Sequence, residues 1–155
     1  ESVNLRLAQT AALEHLTTVM GRALLSSPAL IGLLHPGLRS LWIWHAVEEL
    51  EHKAVAFNVL SSIDRRYWLR ILALLLASLG LLYPITRIMI VLLYRDGQLL
   101  NLRAARAWLF RMYDSGFLRA LMIGLFVYLH PRFHPNDTDD RGLIEQFAAD
   151  LDKSA

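Results

Sequence analysis

The sequence predicts an all-α protein, a helical bundle carrying an apolar membrane-associated helix or hairpin. Three observations point there. Apolar residues recur at helical spacing along most of the chain, and no strand-like alternation lasts more than a few residues. From Ile71 to Tyr94 a single charge, Arg87, interrupts an apolar run long enough to cross a bilayer. The 155 residues are 55% hydrophobic and 19% charged, against roughly 45–50% and about 25% in an ordinary soluble domain.

Taken in order, the first helix is expected from about Leu5 to Leu25, with Asn4 as its N-cap. Leu5, Ala8, Ala12, Leu13, Leu16, Val19, Met20 and Leu24 give it a broad apolar face. SSPALIGLLHPG is a broken connection with room for one helical turn, marked by Pro28, Pro36 and Gly37. A second helix is expected from about Leu38 to Ile63, ended or bent by Asp64-Arg65-Arg66. The apolar run follows. Tyr67 and Trp68 stand at one end and Tyr94 at the other, as interfacial aromatics do, and Arg87 can snorkel. Arg65, Arg66 and Arg70 flank one end and Arg95 the other. Pro84 predicts a kink or a re-entrant hairpin.

Asp96-Gly97 is a turn. From Leu99 to Tyr113, Arg103, Arg106 and Arg111 alternate with large apolar residues, which suits a helix on an anionic interface or a solvated face. Phe117 to Leu129 is apolar but too short to span alone. In the polar tail, Asp139 or Asp140 can cap a last short helix towards Leu151. The organisation expected is a metal-site helical pair over 1–66, an apolar membrane-associated region over 67–129, and a polar tail over 130–155.

The chemistry concentrates in WHAVEELEHKAVAF, Trp44 to Phe57. On a helix, with His45 at zero, Glu49 falls near about 40°, His52 near about 340° and Glu48 near about 300°, at roughly 100° per residue. Glu51, near about 240°, faces elsewhere. His45, Glu48, Glu49 and His52 therefore share one wall. Glu49 and His52 form a Glu-x-x-His pair, whose i, i+3 spacing lets a carboxylate oxygen and an imidazole nitrogen reach one metal ion. Glu14, on the first helix, shares its side with Leu7, Ala11, Thr18 and Leu25 rather than with charges. A buried acid must be paired, protonated or metal-bound. A solvated acid on a weaker face is the alternative. His15 points about 100° away and is a weaker candidate.

AALEHLT, WHAVEELEHKAVAF, YWLR before the apolar run, and LHPRFHPNDTDD resemble, in this order, the bacterial predicted metal-dependent hydrolases. The resemblance implies a ferritin-like core of which this chain is the C-terminal half. It makes Glu14 the single carboxylate and Glu49 with His52 the Glu-x-x-His pair, with His45 and Glu48 as further ligands or as catalytic residues that move protons. Such proteins carry two metal ions, iron first among candidates, with manganese or zinc possible. Their N-terminal half supplies another Glu and another Glu-x-x-His pair, which this chain lacks. It is then a fragment, or another segment or subunit completes the site, or it holds no dimetal centre. Hydrolysis needs a metal that lowers the pKa of a water, whereas a di-iron oxygenase needs one that changes oxidation state.

Other chemistries are excluded or weak. Without cysteine there are no disulfides, thiolate metal sites or thiol nucleophiles. A net charge of +2 gives no basis for nucleic-acid binding. There is no His-Glu-x-x-His zinc motif, defensible Ser-His-Asp order or Gly-rich phosphate loop. His130 and His134 flank Phe133 near Asp137, Asp139 and Asp140, so a second metal site is conceivable, but the following prolines favour a turn that packs the aromatic. The opening residues read as helix, with neither initiator methionine nor signal peptide, as expected of a piece of something longer or of a processed product. The expected partners are membrane lipid and a hydrophobic small molecule, and the expected place is the bacterial inner membrane with the metal site cytoplasmic. The rivals are a non-catalytic transmembrane subunit and a soluble bundle whose apolar run is core.

Overall fold

The computed structural model describes residues 2–152, and every regular element among them is helical. In order they are α1 (Val3–Leu25), α2 (Pro28–Leu33), α3 (Arg39–His52), α4 (Val55–Ile63), α5 (Tyr67–Arg95), α6 (Leu102–Asp114), α7 (Phe117–Tyr128) and α8 (Arg141–Asp152), with 3₁₀ turns at Pro36–Leu38 and Pro135–Asp137.

Helix α1 is the hub, because α3, α4, α5 and α7 all pack on it, while α8 covers α3. Its sequence explains this role. Ala8, Ala11 and Ala12 let Phe57, Leu60, Ala73, Leu74, Tyr128 and Phe133 approach from several directions and form the main core. A second cluster joins Leu25 to Ala46, Val47, Leu50 and Phe147. Leu50 is 1% exposed, and burying such a side chain contributes about 2–3 kcal/mol. Two glycines mark the closest approaches. A Cβ on Gly21 would stand 3.2 Å from the Ala46 carbonyl oxygen, and one on Gly124 would stand 2.6 Å from a Val19 methyl.

Three expectations are corrected. Asn4 does not cap α1: Ser2 does, accepting from the Leu5 N–H, while the Asn4 amide donates to Asp64. The segment from Leu38 to Ile63 is not one helix. It breaks after His52, with Lys53 and Ala54 between α3 and α4, although neither Gly nor Pro marks the spot. No re-entrant hairpin forms at Pro84, because α5 runs through it as one helix of 29 residues. The residue whose carbonyl the proline ring crowds is Gly80, on an exposed stretch where nothing blocks a small adjustment.

Helix α5 is long and apolar enough to cross a membrane. Arg70, Ala73, Leu74 and Ala77 are buried against the bundle, but from residue 82 to residue 95 every side chain is exposed. In α6 only Met112 is buried. The tail turn packs its aromatic as expected: Phe133 is buried between the rings of His15, Phe57 and Tyr128. Asp140 opens α8 with its backbone carbonyl, which accepts from Leu143 and Ile144, whereas its carboxylate is spent elsewhere.

Candidate metal centre

The packing of α1 on α3 brings the acidic residues of the two helices together. Glu14 is half-buried, and one of its carboxylate oxygens accepts from the Ala56 N–H at 3.1 Å. The break after His52 creates this partner, since the first turn of α4 has N–H groups with no acceptor in their own helix. Burial pushes the Glu14 carboxyl above its usual range, against the Ala56 N–H; the Glu49 charge raises it further and the His52 charge lowers it. Glu49 accepts from the Thr17 hydroxyl of α1, and its backbone carbonyl accepts from Thr18 at 3.1 Å. Two threonines thus pin Glu49 beside Glu14.

The wall expected on α3 forms as two pairs. His45 Nε2 lies 3.6 Å from Glu49, and His52 Nδ1 lies 3.6 Å from Glu48. Both follow from i, i+4 geometry. Ala46, Val47 and Leu50 face the core, so the wall lies at the edge of the bundle. The Glu49 side chain is 23% exposed and that of His52 62%. Leu41, Trp42 and Trp44 are also exposed on α3. Glu51 is exposed, away from the group. His15 points elsewhere too: it is buried and its Nε2 donates to the Gly124 carbonyl at 2.9 Å.

The sequence reading missed the buried cluster beside this wall. Arg22 grips Asp140 through two bonds, of 2.6 and 2.7 Å, and Lys53 reaches the same carboxylate at 2.7 Å. Burial raises the Asp140 carboxyl, but the bonds from Arg22 and Lys53 outweigh it and hold the group below its ordinary value. Lys53 directly follows His52, so this cluster fixes the end of α3 and the start of the break. A signal was present: Arg22 is the sole cation of α1 beyond Glu14. A cavity of about 390 Å³ adjoins the cluster, lined by His15, Thr18, Arg22 and Lys53 on one side and Ile123 and Val127 on the other.

Carboxylate oxygens and an imidazole nitrogen are suitable donors for iron, manganese or zinc. Among the described residues, however, no group of three or more His, Asp or Glu side chains stands close enough to hold an ion. The donor set is chemically apt and geometrically incomplete, so these residues alone do not fit a dimetal centre.

Fold and site together define an all-helical protein with a long apolar helix and an edge of acids and imidazoles shared by two packed helices. A family model described as predicted metal-dependent hydrolase matches residues 1–139. The chain belongs to that family, whose name implies metal dependence. Comparison with curated proteins and with solved structures found no match.

Proposed function

We propose that this protein is a membrane-associated metal-dependent hydrolase that contributes Glu14, Glu49 and His52 to a dimetal centre completed by further protein. The observation that carries this reading is the packing of α1 on α3, where Thr17 bonds Glu49 and the charges of Glu49 and His52 act on Glu14, at an edge left open beside Leu41, Trp42 and Trp44. Apolar residues exposed around a charged edge mark a surface awaiting cover, which another ferritin-like segment or subunit bearing the remaining ligands would supply. Glu14 and Glu49 would hold metal through oxygen and His52 through nitrogen. A metal bound there would supply Lewis acidity. His45 would orient Glu49 and Glu48 would orient His52, each from 3.6 Å, and either can carry a proton. Iron leads the candidates, followed by manganese and zinc, and the same donors would serve a di-iron oxygenase.

Membrane attachment is supported by the free end of α5. Fourteen residues from 82 to 95 stand exposed, about 20 Å of helix at roughly 1.5 Å per residue. The bacterial inner membrane, with the metal edge cytoplasmic, suits this arrangement. The cavity beside Thr18 and Lys53, apolar on its α7 side, suits a hydrophobic substrate with one polar group.

The test is His52→Ala in the full-length protein, with metal content read by elemental analysis. Because the His52 side chain is 62% exposed and its ion-pair partner, Glu48, lies 3.6 Å away on the same helix, the fold should survive while most bound metal is lost. Unchanged metal content in a folded variant would overturn the assignment and favour a non-catalytic membrane subunit.

A further inference from the structure

Between leaving the bundle in α5 and rejoining it in α7, the chain makes one long excursion. Leu81 is the last residue of α5 packed against the core. From residue 82 to residue 111 all thirty residues are exposed, and the next buried one is Met112, on a helix that packs on α7. More than half of the thirty are large and apolar, well beyond the scattered apolar residues of a soluble surface. Both ends of the excursion are held by one body. Arg70, early in α5, donates to the Tyr128 carbonyl at the end of α7, at 3.0 Å. Gly124 of α7 lies against Val19 of α1, and Ala73 and Ala77 of α5 share a core with Ala8 and Ala12 of α1. A chain that leaves such a bundle and returns to it finishes on the side where it began. The reach agrees, because the free part of α5 is about 20 Å long, short of the roughly 30 Å of a hydrocarbon core.

The side chains set the depth. At roughly 100° per residue, Tyr83, Arg87 and Tyr94 fall within about 40° of one another on α5, and Ile85, Ile88, Met89 and Leu92 lie opposite. That pattern suits a helix in the plane of an interface, whereas a crossing would carry Arg87 into hydrocarbon. On α6, Leu102, Ala105, Trp108 and Leu109 share the side of Met112, and Arg103, Arg106 and Arg111 take the other, with Phe110 among them. The excursion holds five arginines against Asp96 and Asp114, and among the described residues none of the five pairs with a carboxylate. We propose that residues 82–114 enter one leaflet and return, so that the protein is monotopic and α6 lies among anionic lipid headgroups. A second copy on this surface would set the same cations against them, while an anionic leaflet complements them. This rests on the membrane reading of α5 and restricts it: α5 reaches the bilayer without crossing it.

Single cysteines test the path in full-length protein stripped of other thiols. Thr10→Cys reports the bundle and Gln98→Cys the link between α5 and α6, both at exposed positions. A membrane-impermeant maleimide is applied to spheroplasts and to inverted membrane vesicles, and both cysteines should react in the same preparation. Reaction in opposite preparations, or no reaction of Gln98→Cys in either, overturns the proposal. Flotation tests the lipid: purified protein should bind phosphatidylglycerol vesicles more tightly than phosphatidylcholine vesicles. Arg103→Gln, Arg106→Gln and Arg111→Gln together should weaken that binding about 100-fold, from about fivefold per arginine. Arg6→Gln, Arg65→Gln and Arg132→Gln together remove equal charge from exposed bundle positions and should leave it unchanged. Equal binding to the two lipids, or equal loss in the two triple variants, overturns the headgroup contact. A doubled particle mass without flotation also overturns it, giving the surface to a second copy. Wild type recovered in the aqueous fraction without detergent sinks membrane attachment and this proposal together, whereas a membrane-bound chain with its two cysteines on opposite sides sinks only the monotopic path.

Discussion

Asp140→Asn isolates the interaction that joins the tail to the metal edge. The Asp140 side chain is 2% exposed, against 11% for Lys53 and 27% for Arg22. Removing one partner of a fully buried ion pair costs about 3–5 kcal/mol, because the other charge is left without compensation. Here Arg22 keeps some contact with water and an asparagine oxygen can still accept one bond, so the lower end applies, about 3 kcal/mol. In a chain of 155 residues, that corresponds to a fall in Tm of about 6–12 °C. Thermal unfolding followed by circular dichroism at pH 7 measures it. Asp140 is held below its ordinary value of 3.8, so the stability it adds is fully present above that value and is lost as pH falls further. The gap between wild type and variant should therefore close in acid below about pH 4. A fall in Tm smaller than about 2 °C at pH 7 would show that the cluster is not held as described.

Two more outcomes follow from the packing around α1. Gly124→Ala places a methyl 2.6 Å from Val19, an overpacking that should lower stability by about 1–3 kcal/mol; an unchanged denaturant midpoint would mean that α7 does not rest on α1 there. His15 is kept neutral by burial down to about 4, with the Gly124 carbonyl opposing and Arg22 and Arg70 adding to the effect. Between pH 6.5 and about 4 the unfolded chain takes up a proton that the folded one refuses. Stability present above pH 6.5 should then decline by up to about 1.4 kcal/mol per pH unit as pH falls. His15→Gln should lack this component, and matching pH profiles for the two proteins would refute it.

Much of the architecture was written locally. The helical class, the spans of α1, α5, α6 and α7, and the apolar surface of α5 follow from periodicity and run length, which each segment carries within itself. The pairing of His45 with Glu49 and of Glu48 with His52 follows from i, i+4 geometry. Partial burial of Glu14 was legible because its helix flanks it with Leu7, Ala11 and Thr18.

Tertiary structure decided the rest. The break after His52 has no local signal in ELEHKAVAF; it rests on Glu14, 42 residues away from Ala56, accepting the N–H that the break releases. Asp140 reads locally as a helix cap, and only the return of the tail to α1 makes it the buried partner of Arg22, 118 residues away. Arg70 reads as one of several flanking arginines until the rings of Phe57, Tyr128 and Phe133, from other segments, join its helix neighbour Tyr67 around it. Periodicity determines which face of a helix avoids water, but which charge meets which depends on contacts between segments far apart in sequence, and local pattern carries no record of those.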